Sequence, residues 1–581
     1  MTSRSTNLCV EKSSISSSRP SCKARAFAAL STLLLLCLSL LPYLSVPIAH
    51  ILSAPGSASG FFHYEFPYYV ANGRSAFEHG DGVFYPNPYD PRPDTPVIYA
   101  HWLPWVLGFA TVVLGFEPGI VILCTTFSAA ALFAWTTRLL VLRRTEDFSP
   151  ELSEQGRRRN GTLWFYAAMW GGGLLVITGT IVGLITGPPP TLPTAGNAFD
   201  FWTDAPLQFD PFRGFWFLNW GRNALFPTEA VYHSLVAACW VCEISRGYRA
   251  ANCLFMLLAA THPWSGLELL LTVNLYRAVT LAQIPSQYPI VLRRDAVWRL
   301  ATSGVTLIAF LTYYQIWLPG FSHHAELAAV WELDWSLSWT SAALAYGLVL
   351  VPCIVRVFRL LQRPAGTSYT SSDTFLLCAL TVAVGLVFHD RLVKPVQPLH
   401  FTRGYIWMPL FLLGLPTLQE WWNQRRRLGP TALLLPTILA LLGAFDNFSF
   451  SVIHSQRQYL QKDGFHLDKD ERALLSSLGG IFPNSAPVTL TDSQKLNYLL
   501  PTYTHLRPWI GHKFNTPGFT ERQKRWTECF LENRPDPASI PDDVDLILFQ
   551  QASDSDAFIE NGRWARLSLN NADWQAWQRV R

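Results

Sequence analysis

Glu65 is the first residue along the chain whose setting suits it to chemistry. It lies in FFHYEFPYYVANGRSAF, residues 61–77, beyond a long apolar segment and among aromatic rings. A carboxylate held beside a bilayer and crowded by rings is partly stripped of water, which tunes it for general-base work. The same setting also suits a carboxylate that merely braces its loop. Tyr64, Tyr68, Ala71 and Ser75 recur at helical spacing, which predicts a helix lying on the membrane surface. His63, Glu78, His79, Asp81, Asp90 and Asp94 complete this first polar cluster.

A second cluster is FHDRLVKPVQPLHFTRGYIW, residues 388–407. His389, Asp390, Arg391, Lys394, Gln397, His400 and Arg403 gather there just before an apolar run. A charge at the mouth of such a run is costly unless it is partnered. A guanidinium meets phosphate through two parallel hydrogen bonds, so Arg403, with Lys394 and His400, is expected to hold a phosphate at headgroup depth. Snorkelling to water is the simpler alternative. In a third cluster, loop 188–226, Asp200, Asp204, Asp210, Arg213 and Arg222 alternate with Phe and Trp. Asp204, Asp210 and Arg222 are secondary candidates for sugar or acceptor contacts there, and an interfacial aromatic belt is the competing reading. The fourth group is His262 in THPWSG with His323, His324 and Glu326. Its spacing matches no defined ligand pattern, so no metal is assigned and His262 is read as a polar lining residue. Cys239 and Cys242 form a CxxC, but inside VYHSLVAACWVCEI they are packing residues.

The elements that must position these groups are membrane helices. Of 581 residues 50% are hydrophobic and 15% charged, where a soluble protein carries about a quarter charged. A net charge of +4 is no argument for nucleic acid. Apolar runs recur at 26–46, 98–142 (broken at FEPG), 162–187, 227–245, 297–319, 339–358, 374–388, 404–420 and 430–446. Residues 252–279 read as a hairpin of short helices turning at THPWSG. The fold expected is an all-α polytopic membrane protein of about 11–12 transmembrane helices with a small C-terminal α/β domain. Basic loops at Arg157–Arg159, Arg246–Arg249, Arg356–Arg363 and Arg425–Arg427 place those turns inside. Residues 1–25 form a disordered cytoplasmic tail, 26–447 the membrane domain with external loops 47–97 and 188–226, and 448–581 an external domain. In the last, VTLTD and DVDLILF read as strands, KDERALLSSL and ERQKRWTECFLE as amphipathic helices. The C-terminus is then periplasmic and the membrane a bacterial inner membrane.

A first helix leads into an acid-bearing external loop, then ANGRSAFEHG at Ala71–Gly80 and NPYDPRPDTPVIYAHWLPWVLG entering the second helix, with QPLHFTRGYIWMPLFLLG before a late one. This layout resembles the C superfamily of polyprenyl-phosphate-sugar-dependent membrane glycosyltransferases, especially bacterial relatives of protein mannosyltransferases and aminoarabinose transferases. The resemblance covers roughly residues 26–447 and is one of architecture more than of motif. It implies an Asp/Glu pair in the first loop with one carboxylate as base; here Glu65 alone is acidic, with His63 in the place of a helper. It implies transfer of a hexosyl or pentosyl group from a polyprenyl-phosphate carrier to an external acceptor with inversion. Arg403, Lys394 and His400 would neutralise the departing lipid phosphate. The scheme needs no cofactor and leaves room for a divalent metal without requiring one. Two other readings stay open: a non-catalytic assembly protein that holds a partner on the same shelf, and a transporter of lipid-linked substrate.

Overall fold

Apolar segments in a bilayer must satisfy every backbone polar group internally, and helices do so. The computed structural model describes residues 22–78, 82–148, 153–186, 204–284, 289–331, 333–362, 370–424, 434–482, 485–530, 537–550, 556–569 and 573–580. The predicted tail up to residue 21, residues 188–203 of the loop 188–226 with Asp200 among them, His79, Asp81 and the run Arg425–Arg427 lie outside them. The described helices of the membrane part are α1 (Cys22–Ser53), α2 (Phe66–Glu78), α3 (Trp102–Gly108), α4 (Pro118–Phe148), α5 (Glu154–Trp170), α6 (Leu175–Thr186), α7 (Pro227–Ile244), α8 (Tyr248–Ala259), α9 (Pro263–Ala282), α10 (Ile290–Leu311), α11 (Ser322–Trp331), α12 (Trp339–Leu361), α13 (Ser371–Val387), α14 (Trp407–Gln424) and α15 (Leu434–Tyr459).

Among the described residues, five helices are long and apolar enough to cross a membrane: Ala29–Ser53, Pro118–Phe148, Ile290–Gly320, Trp339–Leu361 and Thr437–Tyr459. The pair α5 and α6, bent by 44°, makes a sixth if it is one span. The chain is a multi-pass membrane protein. Other predicted crossings are shorter or more polar. Trp102–Val113 is apolar but, at 1.5 Å per residue, only ~18 Å long, so the segment broken at FEPG holds one full span and one half-length piece. α7 and α9 carry acids, and these turn inward: Arg277 of α9 pairs with Glu243 of α7 at 2.5 Å, as charges at membrane depth must. The hairpin at THPWSG is α8 and α9, with His262 accepting the Ser265 backbone N–H at 3.2 Å to cap α9.

α15 runs unbroken to Tyr459, beyond the expected boundary at 448. The small domain then follows as α16 (Lys469–Ile481), β1 (Val488–Thr491), α17 (Gln494–Tyr503), β2 (Arg507–Pro508), α18 (Phe519–Cys529), β3 (Leu546–Gln550), α19 (Asp556–Asn561), β4 (Trp564–Leu567) and β5 (Trp574–Arg579). Asp468 and Glu471 start α16 with a reciprocal capping box. The sheet order is β2-β1-β3-β5-β4. β1 runs parallel to β2 and β3, and β5 antiparallel to β3 and β4. Leu490, Ile547, Phe549, Phe558, Trp564 and Trp577 fill its core.

This domain lies on the shelf that follows α1. Tyr498 of α17 donates to the Tyr64 carbonyl, and Thr502 Oγ1 donates to the Pro67 carbonyl at 3.1 Å. Beneath, α2 lies against α3 at Gly73 and Gly108, where a Cβ on either would collide with the other's backbone. Two glycines facing each other are therefore what lets the surface helix sit so close.

Candidate functional site

Glu65 ends the turn before α2, and His63 shapes that turn by accepting the Glu65 backbone N–H at Nδ1, 3.2 Å away. The His63 ring packs on Phe66, Phe215 and Phe226, and burial pushes its pKa down to about 4. His63 is thus a neutral brace whose bond goes to Glu65's backbone. The Glu65 side chain keeps 36% exposure, so a small group can reach it. Burial alone would raise its pKa. The His512 imidazole beside it outweighs that and holds the carboxyl below its ordinary value.

The second cluster arrives at the same place. His400 sits on a short turn, Pro398–Phe401, with its ring stacked on Trp264 (4.7 Å) and Trp335 (5.9 Å) and edge-on to Trp216 (4.3 Å). Burial takes its pKa down to about 3 against the pull of Glu65, so the imidazole is neutral. Its Nδ1 accepts from Arg403 Nη2 at 3.0 Å, and its carbonyl accepts from Arg403 Nε at 3.0 Å. Arg403 also forms an ion pair with Glu229 and lies 5.7 Å from the Trp216 ring centre. Asn223 Nδ2 donates to the Arg403 carbonyl at 3.0 Å. The next residue, Gly404, has φ +79°, and a Cβ there would lie 2.7 Å from Trp220 Cα. The turn needs a glycine to lay Arg403 along the aromatic wall.

Glu65 and Arg403 lie within electrostatic reach of one another, as do Glu65 and His400. Between them runs a continuous wall of rings, His400 to Trp335, Trp335 to Phe514, Phe514 to His512. A carboxylate therefore stands at one end of this row of rings and a guanidinium at the other. An arrangement of that kind suits a reaction in which a proton leaves at one end and negative charge grows at the other.

The other predicted residues fall elsewhere. Lys394 is exposed, in a stretch where Leu392 is 89% exposed. His262 stacks on Tyr232 at 4.2 Å and caps α9; His400 lies within its electrostatic reach. Asp204 pairs with the half-exposed Arg213 at 3.0 Å. Asp210 and Arg222 are wholly buried against each other, with Asp446 3.2 Å from Arg222 and Asn447 Oδ1 accepting from its Nε at 2.9 Å. A group with no exposed surface cannot touch a sugar in this conformation; that pair holds the loop to α15. Among the described residues, no three His, Cys, Asp or Glu side chains converge as a metal site.

Three participants went unread in the sequence. Glu229 and His233, whose Nε2 lies 2.7 Å from the Arg403 carbonyl, sit in the first turns of α7, and an acid there, in FPTEAVYH, was the available signal. His512, in WIGHKFN of the C-terminal domain, carried none.

No protein-family model matches the sequence, and no curated protein matches it. Solved structures that it resembles include the archaeal oligosaccharyltransferase AglB of Archaeoglobus fulgidus, in complex with an inhibitory peptide and a dolichol-phosphate. The identity is 10% and the TM-score 0.42, over 93% of this chain and 73% of that one. ArnT of Cupriavidus metallidurans, in the apo state, is similar at 10% identity and TM-score 0.40, over 95% of this chain and 98% of that one.

Proposed function

We propose that this chain is an integral-membrane glycosyltransferase of the C superfamily, moving a hexosyl or pentosyl group from a polyprenyl-phosphate carrier to an acceptor hydroxyl with inversion. The face carrying the C-terminal domain is the external, periplasmic one. The observation that supports this reading is that Glu65 comes within electrostatic reach of the Arg403–His400 turn along one row of aromatic rings, although the sequence holds them far apart. Glu65 takes the acceptor proton as the acceptor oxygen bonds to the anomeric carbon. The bond from that carbon to the phosphate oxygen breaks, and the electron pair leaves with the lipid phosphate. Arg403 exchanges part of its pairing with Glu229 for the phosphate, meeting the charge as it grows. His400, neutral and clasped by indoles, holds the guanidinium in place. Trp216, Trp264 and Trp335 offer faces on which a sugar ring can lie.

Removing Arg403 alone would leave Glu229 as a buried unpaired charge. The test is therefore the double variant Arg403→Ala/Glu229→Gln in detergent, against wild type and Glu229→Gln. The expected result is a folded protein whose binding of polyprenyl-phosphate sugars is weakened at least ~10-fold, the loss of a charge-assisted pair. Unchanged binding by the double variant would remove Arg403 from the phosphate site.

A further inference from the structure

His512 is 2% exposed on its side chain and is placed by three segments of the chain. Asn87 Nδ2 donates to the Asn515 carbonyl at 2.6 Å, the Trp331 indole N–H donates to the Phe514 carbonyl at 2.7 Å, and the Lys513 N–H donates to the Tyr64 hydroxyl at 3.1 Å. Rings of Tyr64, Tyr68, Tyr89 and Tyr498 surround the imidazole, all with centroids within 5.7 Å. So much fixing of one buried side chain would be wasted on a loop residue with nothing to hold.

Its tautomer follows from its neighbours. The Phe514 N–H points at Nδ1 from 3.1 Å, and Asn515 Nδ2 lies 2.9 Å from the same atom. The Phe514 N–H alone requires a lone pair on Nδ1, so the ring hydrogen sits on Nε2. Nε2 is buried without a hydrogen bond of standard geometry, and Glu65 Oε2 lies 3.5 Å from it. A buried N–H left unused is costly, and contacts that are long before substrate binds commonly tighten in the working complex.

We propose that His512 is a positioning residue for the reaction proposed above: its Nε2–H holds Glu65 Oε2, leaving Oε1 to face the acceptor hydroxyl, so the C-terminal domain completes the active site. It is no proton relay, because Nδ1 is closed by donors and cannot pass a proton on. His63 and His400 also act on Glu65, and Arg403 feels its charge; these groups stay constant when His512 alone is changed. The inference rests on the glycosyltransferase reading for its chemistry, but the contact itself can be tested without turnover.

The experiment compares His512→Asn and His512→Gln in the full-length protein in detergent. Asparagine puts its amide near Nδ1 and cannot reach Glu65, whereas glutamine places an N–H near Nε2. Infrared difference spectra across pH, with Glu65→Gln as blank, give the titration midpoint of the Glu65 carboxyl. The midpoint should rise by about one pH unit in His512→Asn, as expected for losing one hydrogen bond to a charged form, and return toward wild type in His512→Gln. The acid limb of kcat/KM should move with it. A midpoint unmoved in His512→Asn, or raised equally in both variants, would overturn the proposal. Absence of turnover in wild type would instead sink the glycosyltransferase reading and leave the infrared result to decide the contact.

Discussion

Arg222 and Arg403 look alike in sequence, since both are arginines among aromatic rings beside an apolar run. The structure gives them opposite environments. Arg222 has no exposed side-chain surface, pairs with Asp210 and Asp446, bonds Asn447, and lies 4.3 Å from the Phe450 ring centre. Two carboxylates around one guanidinium leave no positive charge to offer. Arg403 keeps 11% exposure, has Glu229 as its close carboxylate partner, and donates besides to a neutral histidine and a carbonyl. The difference teaches that a guanidinium is marked for ligand binding by what is left over after its partners are counted, more than by being an arginine among rings.

Breaking the sealed site should cost the most stability. Arg222→Met strands two carboxylates in the interior, a change worth ~3–5 kcal/mol, and should lower the apparent Tm sharply while any protein that folds keeps its affinity for polyprenyl-phosphate sugars. Thermal unfolding in detergent beside a lipid-binding assay checks both halves. If Arg222→Met were as stable as wild type but failed to bind, the two arginines would have been assigned the wrong way round.

A smaller effect sharpens the same contrast through pH. His63 and His400 are held neutral in the cleft by burial, with pKa values of about 4 and about 3. In the unfolded chain they take up protons near pH 6.5. The unfolded state therefore binds more protons throughout that interval, and stability must fall as pH drops from about 6.5 towards 4. Tm should be a few degrees lower at pH 4.5 than at pH 7, and His63→Phe should flatten part of that slope. A wild-type Tm that is flat across the range would mean that the cleft admits charged imidazoles after all.

Much of the framework was legible in the sequence because it rests on local pattern. Apolar runs announced the membrane spans; of the four residues read on one helix, Tyr68, Ala71 and Ser75 lie in α2, while Tyr64 falls in the turn before it. Asp468 and Glu471 start the helix that KDERALLSSL suggested, and VTLTD and DVDLILF are β1 and β3. The break at FEPG, visible in the sequence, is what separates the half-length piece Trp102–Val113 from the full span α4. What stayed hidden was long-range pairing. Glu229 meets Arg403 only because the start of α7 and the turn before α14 lie side by side, and His512 reaches Glu65 only after a whole domain folds onto α2. The burial of Asp210 and Arg222 stayed hidden for a related reason: Asp446, the charge that completes their network, comes from α15.

The central claim is that Glu65 removes the acceptor proton in a cleft that binds a polyprenyl-phosphate sugar. The most direct measurement is transfer from such a donor by purified wild type and Glu65→Gln, with donor binding followed in parallel. The account predicts that Glu65→Gln binds the donor as wild type does and loses transfer by roughly 10²–10⁴-fold, the usual worth of a general base. Full transfer by Glu65→Gln, or no donor bound by wild type, would contradict it.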